Sequence, residues 1–308
     1  MKIPEFYMPN IMCIDNEKFY IFISTLYHDL KKYKSTKVYL NCKKTKWIDP
    51  PVCAALALVL NNFKIKNNLE FNFKYLSKRH LNLFYNNGFF KSLNNKNSLN
   101  YTNPSIKLAN ISTKSMIYLK NYLNVNLKSH SFYDEESFIW RDIIRCLLEI
   151  YKNADMHGNS SRLFICGHYF PEVQTLIFSL ANIGETFKTN YLKKRKYTFS
   201  DDLSAIMYSL ELFSTSRNEN ESGGIGLCFV KDILKKVDGE FIIYSGNGLY
   251  IEDSKNLKKI SLDKKFPGTI VSIKIKLNSL LLYQDNIDIP DEVYNLNLKK
   301  LLNIGGEI

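Results

Sequence analysis

The stretch Ser222-Gly223-Gly224-Ile225-Gly226-Leu227 constrains this chain more than any other. It runs straight into apolar residues at helical spacing up to Val237, and Gly239 stands where a helix-ending glycine is expected. Glycines at the mouth of a helix let the backbone wrap closely around a ligand. The unpaired N–H groups and the helix dipole there both favour an anion, so the stretch is a candidate phosphate site. No Gly-Lys-Ser/Thr follows, which excludes a Walker A loop, and the spacing is not that of a dinucleotide-binding turn. Taken alone, the cluster reads equally well as a hinge.

A helix is expected upstream, opened by Tyr133-Asp134-Glu135 and running to about Asp155. Phe138, Ile144, Leu147, Leu148 and Tyr151 form its apolar side. Arg141, Arg145, Glu149, Asn153 and His157 recur every four residues and share another face. A carboxylate with a carboxamide one turn on can activate water and hold a divalent ion, although such a stripe is more commonly a solvated face. Gly158 to Ser161 ends the helix. Two strands follow, Arg162–His168 and Gln174–Ala181, the second ending in Asn182-Ile183-Gly184-Glu185-Thr186. Glycine past a buried strand admits a flat ligand or simply makes a turn.

The basic segment from Phe187 to Tyr197 reads as surface, and Asp201–Phe213 as a helix. Beyond the glycine-led helix, Phe241–Ser245 and Leu249–Ile251 are expected to pair across a tight turn at Gly246–Gly248. Asp253–Lys265 reads as a charged loop, and Pro267-Gly268-Thr269 opens a last strand to Leu277.

In the N-terminal half, Asn16–Tyr33 is an expected amphipathic helix and Lys37–Cys42 an alternating strand. Asp49-Pro50-Pro51 precedes an Ala- and Leu-rich helix to Phe63, then come a strand, Leu69–Tyr75, and a helix, Arg79–Leu93. This alternation argues an α/β layer structure. Asn94–Pro104 reads as a loop. The formal charge of +12 is uneven: residues 1–130 carry 20 Lys/Arg against 6 Asp/Glu, and the remainder 22 against 24. The lysines are dispersed and read first as a solvated surface; a face for nucleic acid or an acidic protein is the alternative.

The longest apolar run, Val52–Leu60, has nine residues, against the roughly 20 that cross a bilayer. The six cysteines form no C-x-x-C pair. With no basic, apolar leader at the N-terminus, the expectation is a cytoplasmic protein with reduced thiols.

Four segments, in order, resemble the GHKL superfamily, the ATP-binding fold of gyrase, heat-shock and mismatch-repair ATPases and sensor histidine kinases. Glu149, Asn153, Ala154 and His157 match its Glu-x-x-x-Asn-Ala-x-x-His box. Asn182, Gly184 and Thr186 resemble its adenine box, Gly223, Gly224, Gly226 and Leu227 its glycine box, and Gly268-Thr269 its closing pair. The stretch Lys37–Phe63 resembles a STAS domain. There Pro50 and Pro51 stand where that family carries a phosphate-accepting hydroxyl, so this chain lacks the acceptor at that place.

The resemblance implies an α/β fold: a small STAS-like α/β domain at 1–130, then a two-layer sandwich with a mixed sheet at 131–280. A tail at 281–308 follows, with a docking helix near Leu296–Leu302. It further implies ATP and Mg²⁺ as cofactors, with Glu149 as general base and Asn153 holding the metal. His157 would face the phosphates, Gly223, Gly224, Gly226 and Leu227 would wrap them, and Asn182, Gly184, Thr186 and Thr269 would receive the adenine. The family's adenine-reading aspartate is here Asn182, whose carbonyl still accepts a hydrogen bond but without the charge. A slowly hydrolysing ATPase switch is expected, its lid spanning about Glu185–Ser222 and its partner a STAS-like protein or a second copy. A protein kinase of the anti-sigma-factor type, and a nucleotide-gated nucleic-acid-binding protein without catalysis, are the alternatives.

Overall fold

The computed structural model describes residues 3–93, 105–114, 116–128, 130, 133, 138–156, 158–193, 198–211 and 226–278. The first half comprises Glu5–Tyr7 (β1), Ile11–Met12 (β2), Glu17–Leu30 (α1), Lys37–Asn41 (β3), Trp47–Ile48 (β4), Cys53–Asn67 (α2), Glu70–Lys74 (β5), Lys78–Asn86 (α3) and Phe89–Ser92 (α4). β1, β3 and β5 pair in parallel in that order, and β2 pairs with β4. Crossovers of one hand that advance in one direction put α1 and α2 on the same side of the sheet.

Local chemistry explains the helix ends. Asn16 caps α1 by accepting from the Lys18 N–H at 3.0 Å. Pro50 and Pro51 form a 3₁₀ turn ahead of α2, where missing N–H groups cost nothing. The helix expected over 79–93 breaks at Gly88, whose φ of +80° stops α3 and starts α4.

The second half comprises Ser105–Ser112 (β6), Met116–Leu127 (α5), Phe138–Met156 (α6), Arg162–Phe170 (β7), Thr175–Ile183 (β8), Phe187–Lys193 (α7), Asp202–Ser209 (α8), Gly226–Lys236 (α9), Glu240–Glu252 (β9) and Leu257–Lys276 (β10). The sheet order is β6-β7-β8-β10-β9. Every pairing in it is antiparallel rather than mixed, because two hairpins lie side by side and β6 reverses once more. β6 and α5 lie on the N-terminal side of the charge break at residue 130, yet they pair and pack with this second sheet.

Two expectations for the last hairpin are corrected. Gly246–Gly248 is not the turn; the chain reverses at Asp253–Asn256, where the Asp253 carboxylate accepts from the N–H groups of Lys255 and Asn256. The segment 257–265 is the first part of β10, not a loop. Gly246 and Gly248 are glycines because α8 crosses there: a Cβ on either would collide with Asp202 or Leu203. Similarly, the left-handed residue ending α9 is Asp238, at φ +48°, rather than Gly239.

Strand alternation divides the five-stranded sheet between two cores. Phe164, Cys166, Ile177, Ala181, Ile242 and Tyr244 join the core of α1 and α2. Leu163, Ile165, Leu176, Phe178, Leu180 and Ile243 join that of α5, α6 and α9. The result is four layers: three-stranded sheet, α1/α2, five-stranded sheet, α5/α6/α9. Every residue of α2 from Cys53 to Leu60 is buried, as suits a helix apolar all round with a sheet on either side. Aromatic contacts reinforce the seam, with Phe266 of β10 centred 6.0 Å from Tyr27 and 5.8 Å from Tyr244.

The architecture is α/β. All six cysteines are unpaired, and among the described residues no helix is long and apolar enough to cross a membrane. The expected loop at 94–104 and the tail from 279 onwards, with its docking helix, lie outside the described residues.

Candidate functional site

A small cleft opens between the C-terminal part of α6, the end of β8, the start of α9 and β10. Ile150, Leu163, Leu180 and Val271 supply apolar walls. Asn153, Asn182, Thr186 and Thr269 supply amides and hydroxyls, and Leu227 and Phe187 close the sides. Apolar walls with a few convergent polar groups suit a flat, partly polar ligand. The sheet register places Thr269 opposite Asn182 and Gly268 opposite Ile183.

The contact that shapes this cleft is one the sequence did not flag. Gly158, just past α6, meets Gly184, just past β8. A Cβ on Gly184 would stand 2.0 Å from the Gly158 carbonyl oxygen, and the Glu185 N–H donates to that oxygen at 2.7 Å. Side chains here would push helix and strand apart. The same approach buries Asn182, 3% exposed, whose Nδ2 has no hydrogen-bond partner among the described residues. An unmet buried donor costs about 1–3 kcal/mol, which a ligand acceptor would recover.

Polar residues behind the cleft fix its hydroxyls. The Thr186 hydroxyl donates to Asp202 at 3.0 Å, and Asp202 also accepts from the Asn247 N–H and pairs with Lys265 at 3.6 Å. Ser245 and Thr269 share a hydrogen bond of 2.9 Å, and the Phe187 N–H donates to Ser245. No motif marks Asp202 or Ser245, since their partners are remote in sequence. Partial burial pushes the Glu185 carboxyl up, but the Lys193 ammonium at 2.6 Å and the amides of Asn190 and Asn159 outweigh it and hold the group below its usual range.

The α6 stripe splits as it approaches the cleft. Arg141 is exposed. Arg145, expected at the surface, instead lays its guanidinium 4.3 Å from the ring centre of Phe229 on α9, and its Nε has no hydrogen-bond partner among the described residues. Glu149 lies beside Gly226, the first residue of α9: a Cβ there would stand 2.7 Å from Oε2. Its other oxygen meets Lys152 at 3.5 Å, both side chains being largely buried. Glu149 borders the cleft without lining it, whereas Asn153 lines it. The Asn153 amide nitrogen donates to the Glu149 carbonyl at 2.8 Å, so its oxygen is the end left for a ligand.

Of the residues singled out from the sequence, Asn153, Ala154, Asn182, Thr186, Leu227 and Thr269 share the cleft wall, Gly184 shapes it, and Glu149 meets Gly226 at its border. His157, Gly223 and Gly224 lie outside the described residues. No protein-family model matches the chain, and no curated protein matches it.

Proposed function

We propose that the second half is a GHKL-type nucleotide-binding unit that takes ATP with Mg²⁺ and hydrolyses it slowly, acting as a switch on its STAS-like first half. One observation carries this reading: six residues marked by the resemblance, spread from Asn153 to Thr269, line one cleft. In this reading the adenine lies between Ile150, Leu180 and Val271, with a ring nitrogen accepting from the unmet Asn182 Nδ2. The phosphates run toward the N-terminus of α9, where dipole and N–H groups favour them.

Glu149, at that helix start, orients a water molecule and takes its proton as the oxygen attacks the γ-phosphorus and ADP departs. Mg²⁺ characteristically uses one or two protein oxygens together with phosphates, and the Asn153 carbonyl oxygen fits that role. The ion's contribution would be to neutralise phosphate charge. Arg145, one turn before Glu149, has guanidinium capacity to spare for an anion.

The route to the first half is short. β10 carries Thr269 in the cleft and, three residues earlier, Phe266 against Tyr27 of α1. Pro50 and Pro51 are buried, and the Pro50 carbonyl accepts from the Cys166 thiol of β7. That place therefore serves as a contact between the halves rather than as a phosphate acceptor.

Thermal unfolding with and without nucleotide tests the proposal. ATP at about 100 times its dissociation constant adds about 2.7 kcal/mol, and Mg²⁺ enlarges the effect. Absence of any shift with ATP, ADP or a non-hydrolysable analogue would remove the reading.

A further inference from the structure

Six cations from three segments meet at the end of the three-stranded sheet where its parallel strands finish. Lys43, Lys44 and Lys46 lie in the connection from β3 to β4, Lys74 ends β5, and Lys78 and Arg79 open α3. The segments touch: Lys43 lies 5.9 Å from the Tyr75 ring centre, Lys74 3.8 Å from Tyr39, and the Arg79 guanidinium 4.2 Å from Trp47. Lys74 pairs with Glu5 at 3.2 Å. Among the described residues no ion pair is recorded for the other five. Asp49, in the same region, is buried and accepts from the Trp47 indole N–H.

Three further features set this surface apart from an ordinary solvated one. Lys78 and Arg79 occupy the first turn of α3, with no acid in that turn, although cations are disfavoured at the positive end of a helix dipole. Tyr75 is 66% exposed and sits in the left-handed region at φ +57°, a conformation that bulky residues adopt at a cost and that clusters at functional places. Tyr7, 64% exposed, adds an aromatic ring at the same end, opposite Asn41 in the sheet.

We propose that this end of the sheet is a binding surface for single-stranded nucleic acid. The five unpaired cations take phosphates, while the exposed Tyr75 and Tyr7 offer rings to unstacked bases, the combination that sequence-tolerant single-strand binders use. A duplex hides its base faces, and an acidic peptide would match the cations but leave the exposed aromatics unused. The surface makes no use of the C-terminal cleft, so it stands or falls apart from nucleotide hydrolysis.

Fluorescence anisotropy of the full chain with a labelled oligonucleotide of about 20 nucleotides, at about 50 mM salt, tests the proposal. The single strand should bind more tightly than the duplex of equal length or polyglutamate. With about four phosphates engaged, its affinity should fall about 50-fold between about 50 and 200 mM salt. Combined Lys43→Glu, Lys44→Glu and Arg79→Glu should weaken binding at least about tenfold and flatten the salt dependence. Tyr75→Ala should weaken it with the salt slope unchanged, and Lys258→Glu with Lys259→Glu, exposed on β10, should leave it intact. No binding, equal binding of duplex or polyglutamate, or wild-type affinity in the triple variant would overturn the assignment. Should the triple variant unfold, Tyr75→Ala decides, because that side chain is exposed.

Discussion

Glu149 and Gly226 meet where α6 passes the start of α9, so that a Cβ at residue 226 would stand 2.7 Å from Oε2 and the carboxylate would have to swing aside. A carboxylate held at a helix N-terminus is stabilised by the dipole and lies where phosphate would bind. On the proposed function, the pair offers a way to separate catalysis from binding. Glu149→Gln, which keeps the shape and loses the base, should cut Mg²⁺-dependent phosphate release by about 100-fold or more while nucleotide still raises the melting temperature. Gly226→Ala should weaken both, because the methyl group displaces the carboxylate and crowds the helix start. Unchanged phosphate release in Glu149→Gln would refute the catalytic role.

Gly184→Ala tests the junction of helix and strand behind Asn182. The added Cβ would lie 2.0 Å from the backbone oxygen of Gly158, and backbone cannot swing aside as a flexible side chain can. A loss of about 1–3 kcal/mol is expected, read as a lower denaturant midpoint. Gly158→Ala should cost a similar amount, and the double variant less than the sum, since both disturb one contact.

With a core shared between them, the two halves should unfold as one unit. Leu56→Ala, fully buried in α2, should cost about 2–5 kcal/mol. Trp47 and Trp140, one in each half, are the two tryptophans. Trp47→Phe and Trp140→Phe variants, each reporting the other half, should unfold in single transitions. Two separate transitions within either variant, followed by fluorescence and circular dichroism, would contradict the shared core.

Stability should fall with acid below neutrality through His168, whose pKa burial pushes down to about 4, against the nearby Glu172 carboxylate. The unfolded histidine takes a proton near pH 6.5, the folded one only near pH 4. Between these values the unfolded state binds more protons, so stability is lost as pH drops through that window, by at most about 3 kcal/mol. His80 and His130, also lowered chiefly by burial, act in the same direction. Denaturant midpoints of wild type and His168→Gln at pH 7 and pH 5 should converge toward a smaller pH dependence in the variant. An equal dependence in both would place the titration elsewhere.

Elements with strong internal periodicity were legible in the sequence: α1, α6, α9 and strands β3, β5, β7 and β8 fall where spacing predicts, and α2 where its Ala- and Leu-rich composition does. The hairpin turn at Gly246–Gly248 misled because glycine signals both a reversal and a close approach, and here α8 is the neighbour that needs the space. β6 and α5 carried no notice of their partners, since a strand's pairing is settled by residues fifty or more positions away.

By itself the sequence determined the alternation of helix and strand, the absence of a membrane-length apolar run, and the local spacing that aligns Glu149 and Asn153 on one helix face. Tertiary structure alone decided that Gly158 meets Gly184, that Arg145 turns inward onto Phe229, that α2 lies between two sheets, and that dispersed lysines gather beside Tyr75 and Trp47. The division has one physical cause. Periodicity and capping act over a few residues, whereas burial and close backbone approach depend on which distant segments come together as the chain packs.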